Sequence, residues 1–261
     1  MEVFLNPDAW IALLTLTFLE IILGIDNIIF ISIVTGKLPP EKRKKATRIG
    51  LFLAMFMRIA LLFGITLLIA MKAPWFSFDF GWFSANITGQ AMILLLGGLF
   101  LIYKSTNEIR EKVEDKGHDE KELGMVAKGS FSKVILQILL IDLIFSVDSI
   151  LTAVGMTNGV EGALYIMVTA VVISVGVMML FAVPVGTFVN NHPSIQILGL
   201  AFLILIGFML ITESMHLSEA QLAGQTVGAV PKGYLYFAIA FSLAVEFINM
   251  KMTKNKNKSK L

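Results

Sequence analysis

Two stretches of this chain put acids where an apolar helix should carry none. Glu20-Ile-Ile-Leu-Gly-Ile-Asp26-Asn27-Ile28 and Asp142-Leu-Ile-Phe-Ser-Val-Asp148-Ser149-Ile150 share one pattern: an acid, five residues, a second acid and a short polar residue. A charge near the bilayer centre costs roughly 2.5–3.5 kcal/mol on insertion scales, so such residues mark function by default. One isolated acid can serve as protonated hydrogen-bond glue between helices. Four acids at a repeated spacing favour a cation pathway, and the candidate metal ligands are Glu20, Asp26, Asn27, Asp142, Asp148 and Ser149. Carboxylate, amide and hydroxyl oxygens suit a hard divalent ion such as magnesium, calcium or manganese. The absence of cysteine removes thiolate ligands, and His118, His192 and His216 lie in a linker or at span ends. Arg58, in the middle of another apolar stretch, needs a carboxylate or a wet cavity and is a candidate counterion. Glu246, well inside the last apolar stretch, is a candidate pathway carboxylate.

These residues can meet only if helices cross one another inside a membrane. The chain has 261 residues, 56% of them hydrophobic and 15% charged, with a mean hydropathy of +0.81, which points to lipid as solvent. Seven apolar stretches approach the length that spans a bilayer: Trp10 to Val34, Ile49 to Met71, Phe83 to Tyr103, Phe131 to Gly155, Ala163 to Val183, Ile195 to Thr212 and Tyr234 to Met250. The expected fold class is all-α and polytopic, and no secretory leader is expected at the Met-Glu start. With the N-terminus outside, the inner loops and tail hold eighteen Lys and Arg and the outer loops only Lys72 and Lys232, so the positive-inside rule gives N-out, C-in.

The charged segment 104–130 reads as a cytoplasmic linker between a first three-helix repeat, 1–103, and a second, 131–217. An external loop, a seventh helix and a basic tail fill 218–261. Three spans precede the linker, so the second copy starts from the opposite side, as in the inverted repeats of secondary transporters. Glu20 should then lie level with Asp148 on the outer side of the midplane, and Asp26 with Asp142 on the inner side. Two carboxylate tiers about 9 Å apart result if the helices stay regular. Like charges so close and so buried should hold protons when no cation is present.

In a regular helix Glu20 and Asn27 share a face, as do Asp142 and Ser149, while the second acid of each pair sits to one side. Gly24 could permit a break that turns Glu20 and Asp26 together; its other use is close helix packing. Ser146, its counterpart, could bond back to the Asp142 carbonyl. Glu213 and Lys104 read as interfacial. No Walker loop, HExxH, dinucleotide fingerprint or GxSxG is present, so neither an ATP-driven pump nor an enzyme is expected. The basic tail fits topology and anionic lipid rather than nucleic acid.

The segments FLEIILGIDNIIFIS and DLIFSVDSILTAVG, the central charged linker and the seven spans resemble the TerC family of integral membrane proteins, along nearly the whole chain. The resemblance implies a layout similar to cation-exporter proteins, manganese efflux and, in some bacteria, delivery of manganese to secreted enzymes. The rival class is a nontransporting membrane scaffold that binds metal and serves secretion or quality-control machinery. The expected partners are therefore a manganese ion, the lipid bilayer and, on the rival reading, secretion machinery or secreted metalloenzymes.

The charge asymmetry carries a direct test. Tags near Lys116 and at the C-terminus should be cytoplasmic and one near Gly224 external, as read by accessibility labelling in whole cells; an external linker would overturn the orientation.

Overall fold

The computed structural model describes residues 7–64, 69, 71–114, 130–157 and 159–258, with only the backbone described for Asp26 and 253–258. Among the described residues the helices are α1 (Pro7–Gly36), α2 (Pro40–Phe63), α3 (Gly89–Glu114), α4 (Phe131–Met156), α5 (Ala163–Asn191), α6 (Pro193–Leu217) and α7 (Lys232–Lys258). All seven are long and apolar enough to cross a membrane. Pro40 and Pro193 stand at the first positions of α2 and α6, where a missing N–H costs nothing and the ring pre-sets the helical φ. Polar punctuation is short elsewhere: His192 alone separates α5 from α6.

Glycines set how closely these helices pack. A Cβ on Gly24 would fall 2.2 Å from the sulfur of Met178, one on Gly186 2.9 Å from the Ser32 hydroxyl, and one on Gly36 2.6 Å from the Asn190 amide oxygen. The numbers of each pair differ by the same amount, so α1 and α5 lie side by side in the same direction. Gly24 therefore serves close packing and does not break its helix, because α1 runs unbroken from Pro7 to Gly36. The crossing of α3 and α6 is reciprocal. A Cβ on Gly98 would lie 2.5 Å from the Gly207 carbonyl oxygen and one on Gly207 2.8 Å from that of Gly98, with Ile211 and Ile102 beside them in turn. α2 packs on α4 and α5, and α7 chiefly on α6.

Outside the helices, β1 (Pro74–Asp79), β2 (Phe83–Thr88), β3 (Gln221–Leu222) and β4 (Gln225–Thr226) form one antiparallel sheet in that order. It ties the segment after α2 to the segment after α6, with Ser84 opposite Gln221, so both lie at one end of the bundle. Ala223 and Gly224, both at positive φ, make the tight turn that a two-residue hairpin needs. Trp75, Phe76, Phe80 and Trp82 are exposed on this cap, as aromatic residues at a membrane–water boundary commonly are. The apolar reading had begun the third span at Phe83. The alternation of large and small residues there is a strand, and α3 starts at Gly89 and continues to Glu114, into the charged segment.

At the other end, Arg43 donates to the carbonyls of Gly36 and Leu38, both at 2.8 Å, closing the C-terminus of α1 with a cation. Lys37 reaches Glu108 at 2.6 Å and Glu111 at 3.2 Å, and Lys104 reaches Glu108 at 2.8 Å. Burial works against the Lys37 ammonium, but its bonds and charge interactions with Glu108 and Glu111 outweigh that and hold its pKa above the ordinary lysine value.

The α3–α6 crossing leaves no room for a methyl group, since the obstacle is backbone. Gly98→Ala should destabilise the purified protein by about 1–3 kcal/mol, whereas Gly176→Ala, with nothing within 4 Å, should be neutral or gain up to about 1 kcal/mol. Thermal unfolding in detergent checks the pair.

Candidate metal centre

The candidate residues come from α1 and α4, which touch, and from α2, which lies against α4. Arg58 on α2 is the joint. Its NH2 and Nε donate to the two carboxylate oxygens of Asp142, at 2.6 and 3.1 Å, and its NH1 donates to Glu20 Oε2. One planar guanidinium with five donors in a fixed fork can hold two carboxylates at once. The side chains of Arg58, Glu20 and Asp142 are each about 5% exposed. Asn27 adds its amide, Nδ2 donating to Asp142 Oδ1 at 2.9 Å. Ser146 donates to the Asp142 carbonyl at 2.6 Å and lies 3.2 Å from its Oδ2, the back-bond its position in α4 suggests.

Arg58 thus groups Glu20 with Asp142, acids assigned to different tiers. Glu20 shares Arg58 with Asp142, and the described bonds include none from Glu20 to Asp148. The reason is reach: a side chain as long as arginine's, entering from α2, bridges levels that short acids on α1 and α4 cannot. Asn27 does meet Asp142 at the level expected for its neighbour Asp26, whose side chain lies outside the described residues.

Asp148 has a different partner. Lys232 Nζ lies 2.7 Å from Asp148 Oδ2 and 3.1 Å from the Thr152 hydroxyl. Sequence reading had left this lysine in an outer loop; it is in the first turn of α7. The available signal was its place just ahead of an apolar run, in a helix start with no acid, where the helix dipole disfavours a cation. Asp148, Ser149, Arg58, Glu213 and Lys232 line one cavity of about 50 Å³, room for a few waters given the ~10–15 Å³ that one requires. Glu213, read as interfacial, is on that wall. Glu246 is not: it sits fourteen residues beyond Lys232, about 21 Å along α7, on the least embedded of the seven spans. Among the described residues, no three His, Asp or Glu side chains converge into a ready-made cage. The carboxylates are instead held by Arg58 and Lys232.

Seven apolar helices with polar groups gathered in their interior define a multi-pass integral membrane protein. Its sequence matches the Integral membrane protein TerC family over residues 5–261, and the chain belongs to that family. It is 49% identical over 249 residues to the UPF0053 inner membrane protein YgdQ of Escherichia coli strain K12, covering 95% of each chain. A UPF0053 protein of Haemophilus influenzae is 45% identical over 249 residues, covering 95% of this chain and 96% of that one. The UPF0053 inner membrane protein YoaE of Escherichia coli strain K12 is 41% identical over 98% of this chain, which spans 45% of that longer protein. No solved structure matches the chain.

Arg58 neutralises two buried acids, so removing it strands them. Arg58→Met should cost about 3–5 kcal/mol, the usual penalty for breaking a buried pair from one side. Adding Glu20→Gln and Asp142→Asn should recover much of that loss. Thermal or denaturant unfolding of the purified variants measures both.

Proposed function

We propose that the protein moves a hard divalent cation, manganese first, outward across the cell membrane, through a path built on the carboxylates of α1 and α4. The observation that carries this reading is the convergence of Glu20 and Asp142 on one buried guanidinium, with Asn27 bonded to Asp142, beside a cavity lined by Asp148 and Ser149. Every donor there is an oxygen apart from the two cationic side chains and the Asn27 amide nitrogen. Rotation of that amide would present its oxygen, completing a ligand set suited to a hard ion. Manganese in particular comes from the family resemblance.

Alternating access through inverted repeats accounts for the packing. The reciprocal Gly98–Gly207 crossing of α3 and α6 supports that arrangement. With the N-terminus outside, Asp148 and Lys232 face the exterior and the Lys37–Glu108 cluster the cytoplasm. A divalent ion bound among these acids carries two charges, so it must displace cationic side chains, protons or both. Arg58 and Lys232 cover three acids when no metal is bound, and protons are needed only for what they leave. Proton entry coupled to metal exit is the economical cycle.

Purified protein in vesicles under an imposed pH gradient should transport manganese in preference to magnesium, calcium, zinc and iron. Asp148→Asn, which keeps size and removes charge, should abolish that transport without unfolding the protein, and Ser149→Ala should weaken it less. A metal-binding scaffold would move no metal in any of these arms, and normal transport by a well-folded Asp148→Asn variant would make the acid structural.

A further inference from the structure

We infer that Lys232 is a tethered competitor for the ion site: its ammonium occupies Asp148 when no metal is present and must leave for a divalent cation to bind. The inference rests on the ion-path reading above and concerns a residue outside both acid-bearing segments.

The two cations of the site are built differently. Arg58 holds its acids through three bonds, two of them to one carboxylate, from a side chain about 5% exposed. Lys232 makes one bond to Asp148 and one to Thr152, and the side chains of the ion pair are 32% and 18% exposed. Lysine is a compact charge on a flexible four-carbon stem with no fork to fix it, and a partly solvated pair of this kind is weak. Arg58 is thus the fixed cation and Lys232 the exchangeable one.

Its location fits that use. The lysine starts α7, whose membrane window is only 11% buried and which packs chiefly on α6, so a shift of its first turn disturbs little of the core. A lysine in a helix's first turn opposes the dipole, and Asp148 is what offsets that here. The other charged groups on the cavity wall are Arg58 and Glu213. Glu213, on α6, is placed to receive the ammonium once metal has taken Asp148, which would keep the displaced charge paired. Exchange of a bound ammonium for a divalent ion also reduces the net charge added to the site from two to one.

The test is manganese binding by the purified full-length protein, with vesicle transport alongside, for wild type, Lys232→Met, Lys232→Arg and Lys232→Met combined with Asp148→Asn. Lys232→Met should bind manganese about tenfold more tightly, a gain of about 1.4 kcal/mol, and should release it more slowly at saturation. Lys232→Arg, a competitor that grips better, should bind more weakly than wild type, and the double variant should lose the gain. A merely structural lysine would give weaker binding on removal, so unchanged or weaker binding by a folded Lys232→Met overturns the inference while wild-type binding leaves the ion path standing. If Lys232→Met does not fold, Lys232→Arg decides: binding at least as tight as wild type overturns it. Absence of manganese binding in wild type and all variants overturns both readings together.

Discussion

A guanidinium buried between two carboxylates constrains everything around it. Each of Arg58, Glu20 and Asp142 would be costly to bury alone, and the penalty for a desolvated ion is several kcal/mol even after relaxation. Together they are tolerated because the fork of Arg58 fits both acids and the amide of Asn27 and hydroxyl of Ser146 take up remaining oxygen lone pairs. The three partners come from three helices, so α1, α2 and α4 must keep their rotation and height for the set to stay satisfied. An apolar interface would tolerate sliding; this one does not. The same burial makes the arrangement responsive, since another cation placed between the acids can substitute for the guanidinium only by breaking it up.

That demand explains where glycine is used. In lipid the hydrophobic effect does not drive helices together, so packing depends on close backbone approach at small residues. Gly24, Gly36 and Gly186 draw α1 against α5, and Gly98 with Gly207 brings α3 and α6 to backbone contact. A glycine inside an acid-bearing helix suggested a break from composition alone. In the fold its missing Cβ is filled by Met178, and the helix stays whole.

Much of this was legible from residue types. Seven spans follow from hydropathy, and the acid-bearing segments from the rule that a charge in lipid needs a reason. That Arg58 would need a carboxylate followed from the same rule, but which acids it would take depended on side-chain reach across helices, which spacing along one helix does not encode. The strand at Phe83 to Thr88 was hidden because it continues into α3 without a charged residue, and its partner β3 lies more than a hundred residues away. Lys232 was hidden for a similar reason. Counting charges by loop weighs a lysine for topology but says nothing of one that turns inward at a helix start.

The two cations that hold these acids come from single helices, Arg58 from α2 and Lys232 from α7. Glu20 and Asp142 occupy matching places in the two acid-bearing segments and share Arg58 of α2, while α5 carries no charged residue. Asp148 is covered by a lysine from α7. A cation offered from one side of the bundle alone makes the two faces of the site unequal in charge. Any exchange between states open to opposite sides would then run on a biased equilibrium, with the bias set by how firmly α7 holds Lys232 against Asp148. Because α7 is the least embedded span, that hold is adjustable without rebuilding the core, and the part of the chain with the fewest packing obligations is left to control the charge that the most constrained part must accommodate.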